Sequence, residues 1–165
     1  MHRDTPATLG WRAGNLWLAT RQGLGIFAIF ILAVLPVALY FGAFHRLTFH
    51  LVDSKRFVGY FAFCLLQQVA LNSYLTNRLL YAFQDPRVSA VVAGTIFAAM
   101  HWPNPVLVPL TFLGGIAMSW LFSKVRNIIP LAVGQAIVGM LVWWAFPVAW
   151  HHGMRVGPGY YAFHP

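Results

Sequence analysis

Polar side chains inside otherwise apolar stretches are the residues with which this chain could do chemistry. Gln67 and Gln68 are followed by Asn72 and Ser73, His101 ends a second apolar run with Asn104 just beyond it, and Gln135 interrupts a third. Gln68 and Asn72 are four residues apart and share one helix face, with Gln67 beside it. Carboxamides donate and accept hydrogen bonds but act as a base at no relevant pH. They can hold a carbonyl or stabilise an oxyanion. Among these residues, only His101 can work as an acid or base near neutral pH. Ser73 is the nearest candidate nucleophile and sits one residue off the main polar face. Taken singly, such groups commonly tie membrane helices together. If the three helices converge, the groups form one buried polar pocket.

The elements that must position them are apolar. Of the 165 residues, 59% are hydrophobic and 8% charged, whereas a soluble domain carries roughly a quarter charged residues. Most of the surface must therefore face lipid, and the chain reads as an integral membrane protein. Eleven Lys and Arg stand against three acids, Asp4, Asp53 and Asp85, and there is no glutamate. The bases sit singly or in pairs between apolar runs, as at Arg21, Arg46, Lys55, Arg56, Arg87, Lys124 and Arg126. That is how bases flank membrane spans, and it speaks against nucleic acid as a partner. Cys64 is the single cysteine, so no intramolecular disulfide forms, and it reads as a small packing residue. The first apolar run begins late and is too long for the core of a cleavable signal peptide.

Five apolar segments are expected, at residues 24–44 (with Pro36 as a candidate kink), 57–83, 88–101, 106–123 and 128–148. A spanning helix needs about 20 apolar residues, which the first, second and fifth supply. The expected fold is an all-α, polytopic transmembrane helix bundle of about five segments, one membrane domain over residues 1–165. Gly114 and Gly115 are placed to let helix backbones approach. Residues 1–20 are expected to form an interfacial segment around Trp11 and Trp17. Trp143, Trp144, Trp150, Tyr160 and Tyr161 read as an interfacial aromatic belt. Counting bases on either side puts the N-terminus inside and the C-terminus outside. His45, His50, His151, His152 and His164 then fall outside, as interfacial residues rather than a metal-binding group.

The spacing of the polar residues resembles the CPBP intramembrane proteases, which include the type II CAAX prenyl endopeptidases and bacteriocin-immunity proteins. Their signature is Glu-Glu-x-x-x-Arg, then Phe-x-x-x-His, then His-x-x-x-Asn. Here the matching positions read Gln67-Gln68-Val-Ala-Leu-Asn72, then Phe97-Ala-Ala-Met-His101, then Gln135-Ala-Ile-Val-Gly139. The connecting His101-Trp-Pro-Asn-Pro, Phe112-Leu-Gly-Gly and Asn127-Ile-Ile-Pro are also similar. The resemblance covers roughly residues 60–145 and implies a CPBP-like core at about 57–148. It implies a site enclosed between membrane helices and a place in a bacterial inner (plasma) membrane, N-terminus cytoplasmic. By position the catalytic set is His101, Gln67, Gln68, Asn72 and Gln135, with Ser73, Phe97, Asn104 and Gly139 lining the substrate pocket.

The chain departs from that signature at nearly every ionisable position. Two carboxylates and an arginine have become amides together, so no charge is stranded in lipid. In the family a glutamate is thought to activate water, which needs a carboxylate able to take a proton. Catalytic zinc wants three protein ligands, and the pocket offers His101 with amide oxygens, which suit zinc poorly. No cofactor is therefore expected. Three functions remain open. The first is a CPBP/CAAX-protease-like protein with endopeptidase-like activity through His101. The second is an inactive pseudoprotease binding a peptide, a prenylated substrate or prenyl chain, or a partner helix in the bilayer. The third is a structural subunit of a membrane complex.

Overall fold

The computed structural model describes residues 4–41 and 54–163, the side chains of residues 54–56 excepted. The described residues form helices and turns, with no strand among them. Helix α1 is Leu16–Tyr40, α2 Ser54–Gln68, α3 Asn77–Phe83, α4 Pro86–Ala99, α5 Leu107–Val125 and α6 Ile129–Ala145. Short helices α7 (Val148–His151) and α8 (Pro158–Tyr161) close the chain. A π-helical stretch, Val69–Thr76, joins α2 to α3 without a break. Two helices, α1 and α5, are long and apolar enough to cross a membrane, while α4 and α6 are apolar but shorter. Five spans are thus an expectation that these lengths meet only in part.

Local signals set the boundaries. Gln84 takes a left-handed conformation and ends α3. Asp85 then caps α4, its carboxylate accepting from Arg87 N at 2.7 Å, with Pro86 in the first turn. Arg126, also left-handed, ends α5. Asn127 starts α6 by accepting from Ile129 N at 3.1 Å, ahead of Pro130. Helix α1 begins at Leu16, eight residues before the expected start of its apolar run, so Trp17 belongs to that helix rather than to a separate interfacial segment. Asn15 fixes this start by donating to Val125 O and accepting from Asn127 Nδ2. The preceding turns are tied down as well. Ile128 N donates to Gly10 O at 3.1 Å, and Asn77 Nδ2 to Thr8 O at 2.9 Å.

Helices α4 and α5 meet through glycine. A Cβ on Gly115 would lie 2.9 Å from Gly94 Cα, and one on Gly94 would lie 2.7 Å from Ile116 N. Gly114 instead faces Phe30 and Met118 at ordinary distances. One buried cluster, including Leu71, Phe97, Met118, Phe122 and Leu131, joins the helices at one end. A second, around Val34, Val106 and Val142, joins them at the other.

The C-terminal turns are pinned to the α4–α5 connection. Asn104 Nδ2 donates to His151 O and Arg155 O at 2.8 and 3.0 Å, and its Oδ1 accepts from Val106 N and Leu107 N. His152 stacks on Tyr160 with ring centroids 4.0 Å apart. Of the five histidines expected outside, His45, His50 and His164 lie outside the described residues. His151 is fully buried, its Nδ1 accepting from Met154 N at 3.2 Å and its Nε2 without a partner among the described residues.

Two measurements follow from this packing. Gly94→Ala forces a methyl against α5 backbone and is expected to cost about 1–3 kcal/mol, seen as a lower Tm in detergent. Gly25→Ala, with nothing within 4 Å, is expected to leave Tm unchanged or raise it. Burial pushes the His151 imidazole below its usual range. The unfolded chain therefore takes up a proton near pH 6.5 that the folded chain refuses. Stability is expected to fall as the pH drops below about 6.5. His151→Asn keeps an acceptor for Met154 N and should flatten Tm between pH 7.5 and 5.5.

Candidate functional site

Gln68, Asn72 and Thr76 lie one turn apart on α2 and its π-helical continuation, and all three are fully buried. Thr76 Oγ1 lies 2.8 Å from Leu71 O, five residues back, 3.1 Å from Asn72 Oδ1 and 3.0 Å from Ser119 Oγ on α5. A π-turn carries one more residue than an α-turn, and such turns concentrate at functional sites.

From Asn72 the carboxamides form a single directed chain. Asn72 Nδ2 donates to Gln68 Oε1 at 2.5 Å, Gln68 Nε2 to Gln135 Oε1 at 2.6 Å, and Gln135 Nε2 to Gln67 Oε1 at 2.6 Å. Every link runs from an N–H to a carbonyl, so the dipoles align and polarise one another. Reversing all four amides together would keep the bonds and invert the direction. Met118 decides between the two. Gln68 Nε2 also lies 3.0 Å from Met118 Sδ. An N–H there makes a weak hydrogen bond, whereas a carbonyl oxygen would face sulfur lone pairs. The chain therefore ends on the Gln67 Nε2 amino group. Among the described residues no acceptor meets that group.

Gln67 and Gln135 border a cavity of about 410 Å³, which His101, Phe97 and Gly139 also line. His101 Nδ1 sits 2.6 Å from Phe97 O, and the two rings meet edge to face at 4.7 Å. A carbonyl only accepts, so Nδ1 carries the proton and Nε2 is left as the acceptor. The rest of the lining is apolar apart from the Tyr60 and Thr111 hydroxyls, and among the described residues no charged side chain borders the cavity. Phe63, Ala70, Ile96 and Met100 line it and are also exposed. Its rim is therefore apolar.

The expected site residues divide into three groups. Gln67, Gln135, His101, Phe97 and Gly139 border the cavity, and Gln68 and Asn72 stand behind it as buried support. Ser73 and Asn104 are not in the lining. The Ser73 hydroxyl donates to Leu9 O, and Asn104 caps α5 and holds the C-terminal turns. Tyr60, Met118, Met154 and Val156 line the cavity without having been singled out in the sequence. Apolar and aromatic types carry no signal on an apolar helix.

Among the described residues no carboxylate borders the cavity. Asp4 pairs with Arg78, Asp85 caps α4, and Asp53 lies outside the described residues. A zinc ion finds one imidazole nitrogen here, and all four amide oxygens already accept hydrogen bonds. That donor set does not fit zinc. Among the described residues, no group of three His, Cys, Asp or Glu stands close enough to hold a metal.

Gln135→Leu removes the central link and leaves Gln68 Nε2 and Gln67 Oε1 short of a partner. It is expected to cost about 2 kcal/mol, read as a drop in Tm. Gln67→Leu sits at the chain's end and should cost less than half as much.

In comparisons with known proteins, residues 64–141 match the family model described as "Type II CAAX prenyl endopeptidase Rce1-like". The match spans the amide chain, His101 and Gly139, and it supports a CPBP-family member. No curated protein and no solved structure matches the chain.

Proposed function

We propose that this CPBP-family membrane protein is a non-catalytic binder that holds an apolar chain, prenyl or peptide, in its neutral intramembrane cavity. The observation that carries the reading is the directed amide chain. Where the family's mechanism uses a carboxylate to draw a proton from water, this chain has carboxamides bonded to one another. Their one open end is an N–H donor, suited to holding an oxygen atom rather than to accepting a proton. The apolar rim at Phe63, Ile96 and Met100 suits entry from lipid rather than from water. A cavity of about 410 Å³ lies within the usual range for small-ligand sites.

A second reading, endopeptidase-like activity through His101, draws on the free Nε2 acceptor in the same cavity. An imidazole alone can draw a proton from water, but among the described residues nothing on the cavity wall would offset the charge it gained. The proposed setting is a bacterial inner membrane with the N-terminus cytoplasmic. Arg78 and Arg126 both bond to the N-terminal turns, at Asp4 and Thr8 respectively. A cluster of bases at one end of a bundle favours the cytoplasmic side.

The test is ligand identification by mass spectrometry on protein purified in mild detergent. Wild type should retain a single-chain lipid or peptide at close to one per protein. Ala70→Trp, at the exposed rim, should lower that occupancy at least tenfold with Tm unchanged. Equal occupancy in the two proteins would remove this cavity as the binding site.

A further inference from the structure

Glycine inside a helix costs roughly 1 kcal/mol against alanine, so an interior glycine in α6 calls for a reason. For Gly139 the reason is Tyr60. A Cβ at 139 would lie 2.0 Å from the Tyr60 hydroxyl oxygen and 2.9 Å from the ring carbon that bears it. Any side chain at 139 and the phenol in its present place exclude one another. At this position the family signature has asparagine. The chain has removed that side chain, and α2 delivers a hydroxyl from the opposite wall into the vacated space.

Tyr60 and Gly139 both border the cavity that holds Gln67 and His101. The Tyr60 hydroxyl has the Cys64 thiol, one turn along α2, within hydrogen-bonding reach. A thiol is a weak partner, which leaves the phenol able to bond a ligand. With Gln135 bonded within the amide chain and the Thr111 hydroxyl donating to Leu107 O, three uncharged polar groups of the lining remain open to a ligand. The Gln67 amide donates, the His101 Nε2 accepts, and the Tyr60 hydroxyl does either. Among the described residues of this lining a bound carboxylate or phosphate would find no cation, and an ammonium no anion, so either would be buried at high cost. A ligand hydroxyl, by contrast, can both accept and donate.

We propose that Tyr60 is a specificity-determining residue whose hydroxyl, seated against Gly139, reads the hydroxyl of an uncharged long-chain alcohol. The assignment rests on the chain-binding reading above and adds the headgroup to it.

The test uses the full-length protein in detergent with two radiolabelled probes of equal length, hexadecan-1-ol and hexadecane. Wild type should bind the alcohol about tenfold more tightly than the alkane. Tyr60→Phe keeps the ring and loses only the oxygen. It should weaken alcohol binding about fivefold, in line with one neutral hydrogen bond, and leave alkane binding unchanged. Gly139→Ala, which displaces the phenol, should also lower the preference for alcohol. Because that variant can disturb α6, Tyr60→Phe is the deciding protein, with its Tm checked. Equal loss for both probes would mean that Tyr60 acts by packing, and no loss for either that it is not in contact; each result overturns the assignment. If wild type binds neither probe, the chain-binding reading itself falls. If it binds both, and Tyr60→Phe binds as wild type does, only the role of Tyr60 falls.

Discussion

A carboxamide inside a bilayer has nowhere to turn but to another protein group, and this structure is organised around four that turn to each other. Asn72, Gln68, Gln135 and Gln67 pass hydrogen bonds in one direction across α2 and α6. Met118 of α5 fixes that direction through its sulfur. An unpaired amide at such a depth costs free energy on the scale of a protein's whole stability margin when several are involved. Helices α2, α5 and α6 are therefore held in one mutual arrangement. The π-turn at Val69–Thr76 is part of the same constraint, since it carries Asn72 and Thr76 along the buried face of α2.

The direction of the chain matters more for function than its stability. It ends on the amino group of Gln67, and the same cavity is lined by His101, whose Nε2 can only accept. The cavity is thus polarised without carrying charge. Where the family signature has carboxylates, arginine and histidine, this chain has hydrogen-bonding amides in an apolar setting. The substitutions act as a set. Restoring one glutamate alone would bury an unpaired charge, and restoring none leaves every amide but the outermost satisfied.

The sequence made the polar set legible because glutamine and asparagine stand out in apolar helices. The four-residue step from Gln68 to Asn72 appears as a 2.5 Å hydrogen bond. Gln135, more than sixty residues away, joins the same chain, as the family pattern implied. The extent of α1 was less legible, because its first turn is anchored by Asn15 to the distant Val125–Asn127 connection rather than by local apolar pattern. Asn104 and Ser73 look like site residues by proximity in sequence, yet their side chains are consumed by helix capping and by the N-terminal turns. Tyr60 was invisible for the opposite reason. Its contribution depends on the missing side chain of Gly139, seventy-nine residues further on, and no local pattern announces such a pair.

A cavity that binds and does not cleave is tested most directly by comparing protein termini across the membrane proteome of wild-type, deletion and His101→Ala strains. A binding cavity predicts the same termini in all three. A terminus that appears only when both the gene and His101 are present would contradict it, and would show that an imidazole in this pocket hydrolyses peptide bonds without a carboxylate.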